Sequence, residues 1–319
     1  MTDTVIAVDI GGTTIKCARM TIDGATERTV TVATPRGSDA IVAAIIEIVG
    51  VLRNDSTAVV GLCAPGIVHP DRGLVEYAAN LGFVNTPLRE LVHHATGLPT
   101  TLQHDVRAAC TAEARVGYGR LHSANNIMVV VLGTGLAAGF MVDGRLVSGE
   151  NGTAGEFGHI PIVPDGEACA CGQHGCLEVY SSAGGLLRRY RAAGGRCGST
   201  AEMATRIADD VRAERVWTDG TKALGRALVT ATAMLDPAAI VLAGGLSRAG
   251  RILLDPVVSE LEHGLSWRAA PSVNTSTLGA QAGMIGAALY ALDCTGRSGD
   301  NQLWSRRVAG HRSPDPEHE

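Results

Sequence analysis

Residues 5–16 read Val-Ile-Ala-Val-Asp-Ile-Gly-Gly-Thr-Thr-Ile-Lys, and residues 127–146 read Ile-Met-Val-Val-Val-Leu-Gly-Thr-Gly-Leu-Ala-Ala-Gly-Phe-Met-Val-Asp-Gly-Arg-Leu. Each opens as a short apolar run that predicts a buried strand, breaks at a Gly-Thr turn and resumes as a second strand. The first copy closes at Asp23–Gly24 and the second at Asp143–Gly144. Gly12–Thr13 precedes Gly133–Thr134 by 121 residues, and Asp23–Gly24 precedes Asp143–Gly144 by 120. A single repeat at this spacing predicts two related lobes rather than a solenoid, whose period is about 20–50 residues. Two ordinary hairpins would share much of this pattern, so its weight depends on what else falls on it.

Outward from these hairpins, helical periodicity runs through 39–52, and Ala58–Leu62 reads as a strand ending in the turn Ala64–Pro65–Gly66. Pro87 opens a helix to Ala95, since proline is tolerated in the first turn. Thr100–His104 is a short strand and 106–117 a helix. Ser199 and Glu202 form a capping-box pattern, and a longer helix is expected over 219–235, stopped by Asp236–Pro237. Strands are expected at 239–245 and 272–278, with helices at 249–263 and 280–292. The chain is polar from Gly296 onward, and residues 296–319 read as a disordered tail. The domain reading is therefore a lobe over 1–120, completed by the helix at about 280–294, and a second lobe over 121–279.

The 319 residues are 45% hydrophobic and 18% charged, enough apolar surface for a sizeable core and against wholesale disorder. Net charge is −5 without a long basic run, which argues against nucleic acid as a partner. No apolar stretch of about 18 residues runs uninterrupted, and the N-terminus lacks a signal-type pattern, so a cytoplasmic protein with no membrane partner is expected. Eight cysteines in that setting point to thiols or metal rather than a disulfide framework.

Four groups of residues carry chemistry. Asp9, Gly11, Gly12, Thr13 and Lys16 form a strand-turn that gathers backbone N–H groups, a hydroxyl and a cation around an anion, with Asp9 able to hold Mg²⁺ through water. It is not a P-loop, because no Gly-Lys-Ser/Thr opens a helix, and a plain hairpin favours Asp and Gly as well. Gly133, Thr134 and Gly135 repeat the turn. Gly244–Gly245 follows a strand, where an adenosine would sit in an open α/β sheet, although any β–α turn uses glycine. Asp105, at a strand-to-helix junction, is either a helix cap or a general base.

The fourth group is the strongest local signal. His159, Cys169, Cys171 and Cys176 supply three thiolates and one imidazole, a closed tetrahedral Zn²⁺ set that leaves no position for water and is therefore structural. His174 competes with His159 on spacing alone. Glu156 and Glu178 flank the cluster, either as solvated carboxylates or as groups that a braced loop aims at hydroxyls.

Together these residues resemble the ROK family of bacterial glucokinases, N-acetylmannosamine kinases, related sugar kinases and sugar-responsive repressors. The resemblance rests on DIGGTTIK, APG at 64–66, NLG at 80–82, the HD pair, GTG at 133–135, AGEFGH at 154–159 and CACGQHGCLE at 169–178, and spans Val5 to about Leu292. It implies an α/β, actin-like ATPase (ribonuclease H-like) fold with two lobes and duplicated sheet cores. It implies an ATP-dependent hexose kinase, with Asp105 the base for the sugar 6-hydroxyl. Sugar contacts would fall to Asn80, Asp105, Glu156, His159 and Glu178, and zinc to His159, Cys169, Cys171 and Cys176. Gly11, Gly12, Thr13, Gly133, Thr134 and Gly245 fall at its nucleotide positions. A homodimer is expected.

One departure bears on the substrate. The family usually carries Asn before the catalytic Asp, where it binds hydroxyls around O3 and O4, and this chain has His104. Asn offers a donor and an acceptor on one short amide, whereas imidazole offers one of each on opposite edges. The resemblance therefore extends to kanosamine kinases of ansamycin antibiotic biosynthesis, which act on 3-amino-3-deoxyglucose, with glucose or N-acetylmannosamine as the alternatives. A family repressor carries a winged helix-turn-helix ahead of the first strand. With four residues before Val5 and Asp105 present, a kinase is expected over a repressor or a non-catalytic sensor.

Overall fold

The structure is a computed structural model that describes residues 3–298 and 301–310. The chain divides into two compact units, one of Met1–Ser123, Ser148–Ala154 and Ala280–Glu319, the other of Ala124–Val147 and Gly155–Gly279.

In the first unit, β1 (Thr4–Ile10), β2 (Thr14–Thr21), β3 (Thr26–Ala33), β4 (Thr57–Ala64) and β8 (Thr100–His104) form a sheet in the order β3-β2-β1-β4-β8. β5 (Ile67–His69), β6 (Leu74–Ala78) and β7 (Phe83–Thr86) make a separate three-stranded antiparallel sheet. The central strand reads as a near-continuous apolar run because both of its faces are covered. Ile6, Val8 and Ile10 pack with Ile41, Ile45 and Val49 of the helix Ser38–Leu52. On the other side Cys63 joins Ala108 and Ala287, from the helices Asp105–Arg115 and Ala282–Cys294. That helix pair packs tightly at glycines: a methyl on Gly61 would overlap the Ala287 carbonyl, and one on Gly286 the Ala108 carbonyl.

The second unit repeats the plan. β9 (Ile127–Leu132), β10 (Leu136–Val142), β11 (Arg145–Leu146), β12 (Ala239–Ala243) and β13 (Ser272–Thr275) are ordered β11-β10-β9-β12-β13. Both sheets pair their first two hairpin strands antiparallel and then add two parallel strands. The same order with the same directions is the duplicated ribonuclease H-like core. The unit's core lies between this sheet and the helices Ala183–Ala192, Val211–Leu235 and Arg251–Gly264.

Four sequence expectations need correction. Residues 301–310 form a helix rather than a disordered tail. Its Trp304 is fully buried against Gly24 (φ +90°), and the indole N–H donates to the Ile22 carbonyl at 2.8 Å. One large aromatic in a polar stretch anchors it, together with the Arg115 guanidinium donating to Asn301 and Arg307 donating to Asp23; the remainder of the expected tail, residues 299–300 and 311–319, lies outside the described residues. The helix expected from 219 starts at Val211, with the Asp210 side chain accepting from the Arg212 N–H. Gly220, inside this helix, is a packing contact, since a Cβ there would stand 2.5 Å from the Tyr180 carbonyl. The strand expected to 278 ends at Thr275. Ser148–Ala154, assigned to the second lobe, returns to the first unit, a crossing with no periodic signal. Among the described residues no helix is long and apolar enough to cross a membrane.

Candidate active site

The parallel register of the first sheet aligns three residues at the carboxyl ends of its strands. Asp9 of β1 pairs with Cys63 of β4, and Cys63 pairs with Gln103 of β8. Ligands of open α/β sheets bind at this edge. Across β2, Asp9 faces Lys16, whose ammonium donates to the Ala280 carbonyl at 3.3 Å. The Cys63 thiol has two acceptors, Asp9 Oδ1 and the Gly283 carbonyl, each at 3.5 Å, so the sulfur is the donor. A Cβ on Gly283 would lie 3.1 Å from Asp9 Oδ2, so glycine keeps that oxygen's surroundings clear.

Asp105 opens the helix Asp105–Arg115, and His104 occupies the cap position with no side-chain capping bond. Asp105 Oδ1 accepts from the Val106 N–H at 2.7 Å, so the carboxylate is anchored without being the N-cap. His104 is buried, with Nδ1 3.4 Å from Asp105 Oδ1, and its backbone N–H donates to Gln103 Oε1 at 2.8 Å. Burial pushes the Asp105 carboxyl up to about 6, while the Val106 N–H and the Arg107 guanidinium pull it back. Burial also raises Asp9 to about 6, aided by the charge of Asp105 and opposed by Lys16 and the Cys63 thiol. Burial pushes the Cys63 thiol well above its ordinary range.

The turn after Asp9 is closed by the Gly11 N–H donating to the Thr14 carbonyl at 3.0 Å, and Thr34 Oγ1 donates to the Gly11 carbonyl at 2.6 Å. Gly12 and Thr13 are exposed at its tip. Asn80, exposed on the short turn Ala79–Leu81, has its Cβ 3.6 Å from where a Gly12 Cβ would stand. Thus Asp9, Gly11, Gly12, Thr13, Lys16, Asn80, His104 and Asp105 all belong to the first unit.

The second unit holds the rest. The Gly133 N–H donates to the Gly135 carbonyl at 3.0 Å, and the N-terminus of Ala183–Ala192 caps the turn, with the Ala183 N–H on Gly133 and the Gly184 N–H on Thr134. Glu178 Oε2 accepts from the Leu136 N–H at 2.8 Å and lies 2.6 Å from any Cβ at Gly135, so the Gly-Thr-Gly turn requires its last glycine. Gly244 (φ +87°) passes the backbone of Leu132, where a Cβ would come within 2.5 Å. Beside it opens a cavity of 510 Å³ lined by Gly245, Leu246, Ala249, Ile252, Ala201 and Ala204.

The ligand atoms of His159, Cys169, Cys171 and Cys176 all lie within 4.8 Å of one another. A tetrahedron with bonds of about 2.3 Å has edges of about 3.8 Å. Cys171 Sγ stands 3.7 Å from Cys176 Sγ, and Cys169 Sγ 3.8 Å from His159 Nδ1. The donor set therefore fits Zn²⁺, and the imidazole in it is His159 rather than His174. His159 Nε2 faces the other way, 3.8 Å from Glu156. Gly175 (φ +74°) lets the loop pass the Val163 carbonyl, which a side chain would overlap.

The ROK family description matches residues 5–294. The chain belongs to the ROK family. It is 34% identical to a glucokinase of Streptomyces coelicolor over 305 residues, covering 89% of this chain and 96% of that protein. It is 29% identical to an N-acetylmannosamine kinase of Citrobacter koseri, covering 90% and 98%. A ROK family glucokinase from Streptomyces griseus, solved with glucose and AMPPNP, superposes with a TM-score of 0.80 at 32% identity, covering 91% and 99%.

Within this ROK chain, Cys63 and Arg107 were not singled out from sequence, and Gly283 reads there as a helix-packing glycine rather than a neighbour of Asp9. Cys63 meets Asp9 only through the register of strands 54 residues apart. The APG motif directly after it was the nearest available signal. For the metal set, Cys171→Ser is expected to lose bound zinc by elemental analysis and to lower the Tm. Unchanged metal content and Tm would count against a structural site.

Proposed function

We propose that this glucokinase-like sugar kinase transfers the γ-phosphoryl group of ATP to the 6-hydroxyl of a glucose-type hexose, with Asp105 as the base. The observation that carries this is the Asp105 carboxyl itself. It opens a helix at the carboxyl edge of the first sheet beside the buried His104, and burial pushes it up to about 6. A base of that strength is ionised at neutral pH and still accepts a proton as the hydroxyl attacks.

Two supports concern the nucleotide. Asp9 fits a hydrated Mg²⁺, since one oxygen is tied to Cys63 and Gly283 keeps space beside the other. When bound, that ion neutralises charge on the phosphates. The cavity beside Gly245 is apolar on most of its lining, within the range of about 300–1,000 Å³ usual for small-molecule sites, and suits a flat heterocycle such as adenine. Glu156, His159 and Glu178, on or beside the zinc-braced loop, are assigned to the sugar hydroxyls, as is Asn80. Zinc takes no part in the chemistry on this reading: its four donors are all protein atoms and the site is closed.

The sugar's identity turns on His104. Its imidazole is buried and held beside the base, where it replaces an amide. A single lone pair opposite a single N–H suits an amine at C3 as well as a hydroxyl, which favours an amino sugar such as 3-amino-3-deoxyglucose alongside glucose. For His104→Asn, kcat/KM is expected to shift toward glucose relative to the 3-amino sugar and N-acetylmannosamine. An unmoved ranking would remove His104 as a specificity determinant.

Asp105→Asn is expected to lower kcat by about 10² or more, with no loss of Tm at pH 7.5. The sign follows from the raised ionisation: above pH about 6 the native carboxylate carries a charge that burial disfavours, a cost relieved as pH falls toward the ordinary carboxylate range. Wild-type kcat/KM should accordingly fall as pH drops through about 6. Full activity in the Asn variant, or a flat profile across that range, would refute the base.

A further inference from the structure

Two residues beyond the base, Arg107 is 1% exposed. Its guanidinium reaches three separate stretches of the first unit. Nε donates to Gln103 Oε1 at 3.1 Å, Nη2 to the Val68 carbonyl at 3.1 Å and Nη1 to the Gly152 carbonyl at 2.5 Å. Gln103 Oε1 is the same atom that accepts from the His104 N–H, so the fork grips the strand end that presents His104 and Asp105. Val68 lies on β5, just past Gly66. Gly152 lies in Ser148–Ala154, the stretch that visits the first unit and leads in sequence directly to Gly155 and Glu156.

Within that stretch the backbone ties are short-range, from the Ala154 N–H to Ser148 and from the Gly152 N–H to Gly149. Its hold on the rest of the unit runs through Gly152, whose carbonyl takes the guanidinium and whose Cα packs where a Cβ would stand 3.0 Å from the Val68 carbonyl. A buried cation is a poor way to gain stability, since apolar side chains of similar volume often do as well. A planar fork that fixes three acceptors at once supplies geometry instead, and a lysine ammonium cannot reproduce it.

We infer that Arg107 is a positioning residue for the sugar side of the reaction: it locks the segment 148–154 to the strand that carries the base, and so fixes where the chain departs for Glu156. This rests on the assignment of Asp105 and Glu156 proposed above. Arg107 touches neither phosphate nor hydroxyl on this account and acts through the backbone it holds.

The test compares Arg107→Gln and Arg107→Lys with the wild-type enzyme, reading KM for the hexose, KM for Mg-ATP, kcat, and hydrogen–deuterium exchange of peptides covering 148–154. Loss of charge-assisted bonds of this kind is expected to raise the hexose KM by about tenfold or more, with the Mg-ATP KM within about twofold and faster exchange in 148–154. Exchange in 127–132 should stay unchanged. Lys should recover only part of the hexose KM. Where the Gln variant does not fold, the Lys variant carries the test, because one ammonium does not span three acceptors. Folded variants with a lower Tm but unchanged hexose KM and unchanged exchange in 148–154 would overturn the proposal and leave Arg107 a structural residue. If the wild-type enzyme phosphorylates no hexose, the functional reading falls by itself, while the exchange measurement still decides whether the clamp exists.

Discussion

Two carboxylates, Asp9 and Asp105, are held half-buried at the same edge of one sheet. That constraint orders much of the first unit. Burial raises both to about 6, and the charge of Asp105 makes Asp9 harder still to ionise. Everything packed nearby answers it. Lys16 lies across the hairpin from Asp9, the Cys63 thiol donates to it, and the Val106 N–H holds Asp105 at a helix start where negative charge is favoured. The helix Ala282–Cys294 can close over this edge because Gly61, Gly283 and Gly286 remove the side chains that would stand in its way.

The second unit uses the same sheet order without the carboxylates. β9 reads Ile-Met-Val-Val-Val-Leu throughout, and its strand ends present backbone instead: the Gly133–Gly135 turn under a helix N-terminus and the glycine pair after β12. The His159–Cys176 loop is rich in glycine and poor in regular structure, and it gathers four zinc-type donors beside the core residues Cys176 and Leu177. A closed metal site of that kind contributes folding free energy directly where the ion binds, and His159 stands with one nitrogen beside Cys169 and the other toward Glu156. The two units thus share one scaffold, and the residues at their strand ends differ.

Much of this was legible from local pattern. The apolar run before Gly11, the echo at Gly133, the Ser199–Glu202 cap and the cysteine spacing all act over a few residues. The cap is real, with Ser199 Oγ accepting from the Glu202 N–H, although Glu202 reaches back to the Gly198 N–H rather than to Ser199. What escaped depends on distance along the chain. Cys63 and Gly283 meet 220 residues apart, Arg107 and Gly152 45 apart, and Trp304 finds Ile22 across 282. Gly220 sits inside the long helix Val211–Leu235, which tolerates it because the Tyr180 backbone needs the room. His174 and His159 were inseparable on spacing, and only the fold of the loop chose between them.

The central claim is that the edge bearing Asp9 and Asp105 serves phosphoryl transfer to one particular hydroxyl. Phosphorus NMR of the product formed from Mg-ATP and a hexose, with proton–phosphorus coupling used to locate the ester, tests it most directly. The account predicts coupling to the two C6 protons and a single monoester. An ester at C1 or any ring hydroxyl, or no sugar phosphate from any hexose offered, would contradict it.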